Sequence, residues 1–453
     1  MLKVVEKIKQ PACRRMIEKY VFIVILTAIG MYARFYLFSI KSGDYNSFLE
    51  PWYNLIWDNG GFKAVGMDIG DYMPTYYYIL AILTYIPIKP LITIKMVSCI
   101  ADVFIAIFAY KIVHKVTGSE NKGVIAYGAA FFLPSAILNS AGWAQCDGIF
   151  SLFILISIYC ILKGKDWGAM IAFSVSFVFK IQAIFFAPVL LILLLKRKMR
   201  WRTVIAFPIV YLIDILPAWV AGGNFFKLLT VYFRQTGQYK SLNMFIQNAW
   251  GLLYGVQSEE MGKAGVMFAG GVVLVALFWV YRSKFEITNK IIITLSGLFT
   301  LLVPFVLPHM HERYYYLPTV VSLVFAIIYP KKIWVFLIME FMSFQAHAHY
   351  LLNKQEVMDF SFAVLLVTFA LATYFKLLYD QMKESTLREN EPVFAAPVMP
   401  ADAPYAQPVE SVNLTEKIDN STVVQAAKSK EAEKLDEALL NSVAVQTETD
   451  DLN

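Results

Sequence analysis

Residues Ser42 to Tyr78 read SGDYNSFLEPWYNLIWDNGGFKAVGMDIGDYMPTYYY. This polar stretch lies between two apolar segments, Tyr20 to Ile40 and Ile92 to Ile112. It carries Asp44, Glu50, Asp58, Asp68 and Asp71 among closely spaced Tyr and Trp residues. Connections between helices are usually about 4–6 residues and non-committal. This one is long, aromatic and acidic, which suits a site at a membrane surface. The fold expected around it is an all-α polytopic membrane protein with a large first outer loop.

Composition agrees. The chain of 453 residues is 58% hydrophobic and only 16% charged, against roughly a quarter charged in soluble domains. From Asp380 to Asn453 there are fifteen acidic and six basic residues, although the whole chain carries +6. The body is therefore the basic part, and its cations lie largely at helix ends, as the positive-inside rule expects. They give no reason to expect a nucleic-acid partner. Cys13, Cys99, Cys146 and Cys160 show neither metal spacing nor a disulfide framework. Lys3, Lys7, Lys9, Arg14, Arg15 and Lys19 precede a full-length apolar run, the pattern of a signal anchor.

The domain reading is a basic cytoplasmic N-terminus over residues 1–19, a transmembrane domain over 20–379, and a disordered acidic cytoplasmic tail over 380–453. Within the domain, apolar runs predict about twelve transmembrane helices, both termini inside and a multi-pass place in the cell membrane. Pro74 to Pro87 is too short to cross. It is expected to lie at the outer interface, with Tyr76, Tyr77, Tyr78 and Tyr85 in the aromatic belt. The tail is rich in Pro, Ala, Val, Ser and Glu, a composition that does not bury a core.

This topology gathers four polar groups on one side. They are Asp44 with Asp71, Gln145 with Asp147, Lys180 with Gln182, and His309 with His311, Glu312 and Arg313. Ionisable groups at membrane depth are costly and tend to mark function. The tyrosines Tyr314 to Tyr316 read more readily as an interface belt than as a sugar platform. Asp102, Asp214 and Glu340 lie inside spans; Asp102 and Asp214 suit pairing with neighbouring helices, and neither is given a chemical role.

The chain resembles the GT-C class of membrane glycosyltransferases, and within it the bacterial proteins related to the second mannosyltransferase of glycosylphosphatidylinositol synthesis. The residues that carry the likeness are GDYNSFLEPW with GDYMPTYYY, WAQCDGI, FKIQAIFFAPVL, SLNMFIQNAW and MHERYYYLP, in that order. The resemblance implies a GT-C-like fold with an extracytoplasmic active site. It implies transfer of a hexose, mannose by family name, from a polyprenyl-phosphate donor to a glycan, lipid or protein acceptor. It also implies an acidic catalytic residue in the first outer loop, where Asp44 is the matching position.

The residues support that chemistry independently. A sugar on a lipid phosphate has a good leaving group, so a carboxylate base for the acceptor hydroxyl suffices. Cations must then steady the departing phosphate. Asp44 and Asp71 are the candidate catalytic carboxylates. Lys180, Gln182, His311 and Arg313 are candidates for the donor phosphate, with Gln145, Asp147 and Glu312 supporting them. No Asp-x-Asp pair occurs, so a nucleotide-sugar donor with a bound divalent ion has no obvious site; no cofactor is expected, and a divalent metal is open but not indicated. Each residue also has a plainer reading. Asp44 and Asp147 suit helix caps, Asp71 suits the start of the interfacial helix, Lys180 suits snorkelling, and His311-Glu312-Arg313 suits an internally paired turn. Two other functions compete: a transporter or flippase of lipid-linked glycans, and a non-catalytic envelope scaffold. Transporters tend to show internal repeats, and none is found here.

Overall fold

The computed structural model describes residues 11–235, 240–253, 255–352 and 358–390. These fall within one compact unit, Met1–Glu391. The expected tail lies, from Glu391 onward, outside the described residues.

Helix α1, Pro11–Tyr36, presents Val24, Ile25, Ile29 and Tyr32 outward, a surface suited to lipid rather than water. After it come α2, Glu50–Asp58, and α3, Pro74–Thr84. Together with the turn Gly61–Gly66 they fold the first loop into its own small core of Tyr45, Tyr53, Ile56, Tyr77 and Leu80. Trp52 packs against both Tyr72 and Tyr77 there. Tyr76 and Tyr77 are thus buried, contrary to the expected aromatic belt; Tyr85 alone of the set is largely exposed.

Helix α4, Pro90–Thr117, begins on a proline and ends at Gly118 with φ 68°, the left-handed stop that glycine makes without strain. Ser119 then caps α5, Glu120–Phe131. Lipid tails give apolar helices no hydrophobic drive to associate, so close approach between small residues matters. Ala101, Ala106 and Ala109 of α4 and Ala126 and Ala130 of α5 are buried accordingly. Gly30 of α1 lies so near the Phe131 ring that a Cβ there would clash with it.

Two polar latches join α1 to α4. Arg34 and Asp102 form a buried ion pair at 2.9 Å. Asp102 also accepts from Ser140 and Tyr316, and Arg34 donates to the Gly30 and Phe131 carbonyls, the full satisfaction a buried pair requires. Nearer the start of α4, Lys95 donates to the Leu37, Phe38 and Ile40 carbonyls just past the end of α1.

The expected third span is broken. Pro134 forces Leu133 into an extended conformation. The chain restarts as α6, Pro134–Ile137, and a wide turn, Leu138–Gly142, bent 44° from α5. Next come α7, Asp147–Leu162, and α8, Asp166–Phe179. One extended residue, Lys180, separates α8 from the turn Ile181–Phe186 and α9, Ala187–Leu195. Helix α10, Ala206–Val220, is followed by the short α11, Phe225–Leu229, and α12, Val231–Gln235. Strand β1, Asn243–Met244, pairs in parallel with β2, Met310–His311. Between them run α13, Glu259–Arg282, and α14, Asn289–Val306, whose residues from Ile291 to Val306 are all buried. Helices α15, Tyr316–Ile328, α16, Ile333–Leu352, and α17, Phe360–Asn390, complete the body.

Among the described residues, six helices are long and apolar enough to cross a membrane, or seven if the bent pair counts as one span; three more apolar helices are shorter. These support a multi-pass membrane protein without fixing the number of spans at the expected twelve. Pro134 interrupts the run from Gly123 to Asn139 expected as one span, whereas Lys180 falls at the expected turn between two spans. Helix α17 also continues ten residues past the expected start of the tail at Asp380. Asp214 on α10 accepts from Thr75, and Glu340 on α16 accepts from Ser135. Tyr315 and Tyr316 are fully buried rather than at an interface.

Candidate active site

Asp44 stands at the start of the wide turn Tyr45–Leu49 but makes no side-chain cap bond. Ser42 takes the local capping role instead, accepting from the Tyr45 amide and donating to the Trp143 carbonyl at 2.7 Å. The Asp44 carboxylate is turned across to the bent segment. Its Oδ2 accepts from Trp143 Nε1 at 3.0 Å and from Gln145 Nε2. Its Oδ1 accepts from the Tyr350 hydroxyl at 2.8 Å. A carboxylate offers about four lone-pair sites, so these donors leave one position on Oδ1 for a further hydroxyl.

Arg313 faces the same carboxylate. Its Nη1 lies 3.6 Å from Asp44 Oδ2 and 3.3 Å from Glu312 Oε1, and its Nε lies 3.8 Å from Asp147 Oδ2. The guanidinium also lies over the Trp143 ring at 5.6 Å. Its Nε has no hydrogen-bond partner, so part of the five-donor fork stays uncommitted. Burial opposes the charge, but Glu312, Asp147 and Asp44 hold the guanidinium above even its ordinary pKa. Burial likewise opposes ionisation of Glu312, but His311 and Arg313 beside it hold its carboxyl below the usual range.

Asp147 opens α7, where a carboxylate suits the helix dipole. Lys180 pairs with its Oδ1 at 2.6 Å, and Asn139 donates to its Oδ2 at 2.9 Å. Lys180 is only 6% exposed, so it does not snorkel. Burial disfavours its ammonium, yet Asp147 and nearby groups raise its pKa above the ordinary value. It faces the Tyr72 ring at 5.8 Å. His347 Nε2 accepts from Asn139 at 3.0 Å while its Nδ1 donates to the Ser343 carbonyl.

The structure therefore joins Asp44, Gln145, Asp147, Lys180, Glu312 and Arg313 in one polar cluster, with His311 at its edge. Gln182 is buried two residues beyond Lys180, and its Oε1 has no partner. His309 turns away and its Nδ1 meets the Ser241 carbonyl at 2.7 Å. Asp71 is exposed, and its backbone carbonyl accepts from Gln235; it is its neighbour Tyr72 that lies against Lys180. Trp143, Asn139, His347 and Tyr350 belong to the cluster but were missed in the sequence reading. Trp143 and Asn139 lie in the loop NSAGWAQCDG, from which only Gln145 and Asp147 are taken as candidates. The signal for His347 and Tyr350 was AHAHY inside an apolar run, polar groups at membrane depth. Among the described residues, no group of three or more His, Cys, Asp or Glu is placed to hold a metal.

The model of glycosyltransferase family 87 matches residues 72–308, just over half of the chain. The chain belongs to glycosyltransferase family 87. That is a GT-C-type membrane family, so the coarser part of the resemblance holds: the protein is a multi-pass membrane glycosyltransferase. Within this family 87 chain the matched span contains Tyr72, Trp143, Gln145, Asp147 and Lys180. Asp44 and the turn from His311 to Arg313 lie outside it and reach the cluster through the fold. No curated protein matches the chain.

Proposed function

We propose that this glycosyltransferase uses a polyprenyl-phosphate hexose, mannose by the family likeness, and transfers it with inversion outside the cytoplasm. The observation that carries the reading is the Asp44 carboxylate, with one open lone-pair position, 3.6 Å from a guanidinium that is only partly committed. An acceptor hydroxyl entering at Asp44 Oδ1 gives up its proton there. Its oxygen forms the bond to the anomeric carbon as the bond from that carbon to the phosphate oxygen breaks. The lipid phosphate leaves with the electron pair, and Arg313 and Lys180 meet the charge it carries. Arg suits this task because its fork matches phosphate oxygens. Asp147 keeps the Lys180 ammonium charged and aimed, and Glu312 does the same for Arg313. The basic residues ahead of α1 support an outer position for Asp44.

Purified protein supplied with a synthetic polyprenyl-phosphate mannose and a hydroxyl acceptor tests this. Release of the lipid phosphate together with a glycosylated acceptor is expected. Turnover of a nucleotide sugar with the lipid donor ignored would sink the reading. An impermeant thiol reagent should label Asn46→Cys in intact cells; labelling only after lysis would reverse the sidedness.

A further inference from the structure

Glu340 is a carboxylate in an apolar helix, and the transfer reaction described above does not use it. It lies on α16 seven residues before His347, about 10 Å along the helix from the polar cluster. Its Oε1 accepts from the Ser135 amide at 2.9 Å and its Oε2 from the Ser135 hydroxyl at 2.7 Å. Both bonds go to one serine, the residue after the break at Pro134. That amide is one of the orphan donors a restarting helix must satisfy. A neighbouring Ser or Asp in the chain could do so at no cost in buried charge. Here the acceptor comes from 205 residues away, and a carboxylate at membrane depth is costly enough to mark function.

The two segments joined there meet at two further levels. Four residues past Ser135, the Asn139 amide donates both to His347 Nε2 at 3.0 Å and to Asp147 Oδ2 at 2.9 Å. Four residues further on, the Trp143 ring stacks on Tyr350 with centres 4.0 Å apart, and both side chains donate to Asp44. Gln145, the third donor to Asp44, is tied to the middle level, because its backbone amide donates to the Asn139 carbonyl at 3.0 Å. Each hydrogen bond to the Asp44 carboxylate thus comes from α16 or from the bent segment that α16 grips. The break at Pro134 uncouples that segment from α5, so these contacts set its height. The upper two levels end on Asp147 and Asp44. The lowest, at Glu340, ends on neither and serves as a fixed foot.

We propose that Glu340 is a positioning residue for the transfer step. By anchoring Ser135 it sets the height of Trp143 and Gln145 against α16, and through them the direction in which Asp44 presents its open oxygen position. This role rests on the reading of Asp44 as the base. Glu340 itself touches neither donor nor acceptor. Without the anchor, the bent segment slides along α16 and the carboxylate turns away from the acceptor hydroxyl. A misplacement of about 1 Å can cost about 10² in rate, while the cations that hold the donor phosphate stay in place.

The test uses the full-length protein in lipid nanodiscs with a labelled polyprenyl-phosphate hexose and a hydroxyl acceptor. Glu340→Leu fills the space and removes both acceptors for Ser135. It should lower kcat by about tenfold to a hundredfold, with the KM of donor and acceptor moved less than about threefold. Glu340→Gln should restore kcat to within about threefold of the parent, because its oxygen accepts from the Ser135 amide and the Ser135 hydroxyl can turn to accept from its NH2. A merely structural cap predicts another pattern in Glu340→Leu: a lower Tm, with parent kcat per folded enzyme. That pattern overturns the proposal, and so does a Gln variant as slow as the Leu one, or a rise in KM as large as the fall in kcat. Should Glu340→Leu not fold, Ser135→Ala decides. It removes the hydroxyl alone and should lower kcat about threefold to tenfold, the scale of one hydrogen bond; parent kcat there refutes the role. Asp44→Asn in the same assay keeps the two readings apart. Normal transfer by Asp44→Asn removes the base and the positioning role together, whereas collapse there beside parent kcat in Glu340→Leu removes only the latter.

Discussion

Asp44→Asn separates a base from a scaffold, and the structure says how cleanly. The asparagine oxygen can take the Oδ2 place and keep accepting from Trp143 Nε1 and Gln145 Nε2. Its amide then faces the Tyr350 hydroxyl, which can turn to accept. The three neighbours stay satisfied, so the fold should hold. Two things are lost: the site for the acceptor proton, and one of three carboxylates around Arg313. The two remaining carboxylates still hold the guanidinium, so donor binding should change little. General-base catalysis is worth about 10²–10⁴ in rate, or roughly 3–5 kcal/mol in barrier. Transfer from the lipid-phosphate donor should fall by that factor, with donor KM moved less than about threefold. The assay is acceptor product formed per enzyme, alongside donor affinity measured without acceptor. Asp71→Asn, at an exposed carboxylate, should keep near-normal turnover. Normal turnover in Asp44→Asn with collapse in Asp71→Asn would falsify the assignment and move the base to Asp71.

Three other outcomes follow from the same cluster. Arg313→Ala should weaken donor use by about 2–4 kcal/mol, as for a buried charge pair, while Arg313→Lys keeps charge without the fork and should retain part of the activity; equal donor KM in Arg313→Ala and the parent protein would remove it from the phosphate site. Lys180→Met leaves Asp147 buried beside one fewer cation and should cost about 3–5 kcal/mol, and adding Asp147→Asn should recover most of the stability but not donor use; calorimetry in detergent reads the first part and the transfer assay the second. Glu312 has a depressed pKa, so its charge adds stability that is complete above about 4.5 and fades as acid takes pH below it. The parent Tm should thus drop more steeply than that of Glu312→Gln between pH 5 and about 3.5, and parallel curves would contradict this.

How far the site was legible depended on the kind of residue. Asp44, Asp147, Lys180 and Arg313 stand at the ends of apolar runs, where a charge has few structural excuses. The resemblance and the span parity pointed to the same side, and the fold brings these four together. Asp44 was ambiguous as a cap until Ser42 proved to hold the turn. Trp143, His347 and Tyr350 were not legible, because an aromatic or imidazole in an apolar helix looks like packing until its partner is known. Their partners are about 100 to 300 residues away, a separation that local pattern does not encode. The expected third span, Gly123 to Asn139, is broken for a physical reason. Hydropathy registers apolar content but not the bend at Pro134, and the segment beyond that bend is where Asn139, Trp143 and Gln145 emerge.

The latches between α1 and α4 also bear on how the protein is made. During synthesis α1 leaves the ribosome well before Asp102 or Lys95 exists. Until then Arg34, in the last turn of α1, is an unpaired guanidinium in an apolar segment, a burden bounded by the roughly 2.5–3.5 kcal/mol of a charge at a helix centre. The carbonyls of Leu37, Phe38 and Ile40 likewise lack their ammonium. The first helix therefore has reason to linger at the insertion machinery, or to sit shallow, until α4 comes alongside and neutralises it. Its final depth, and with it the height of Asp44 above the lipid, is set by a segment translated some sixty residues later. Nascent chains arrested before and after α4 should differ in how readily α1 crosslinks to the insertion channel; equal crosslinking would mean that α1 settles alone.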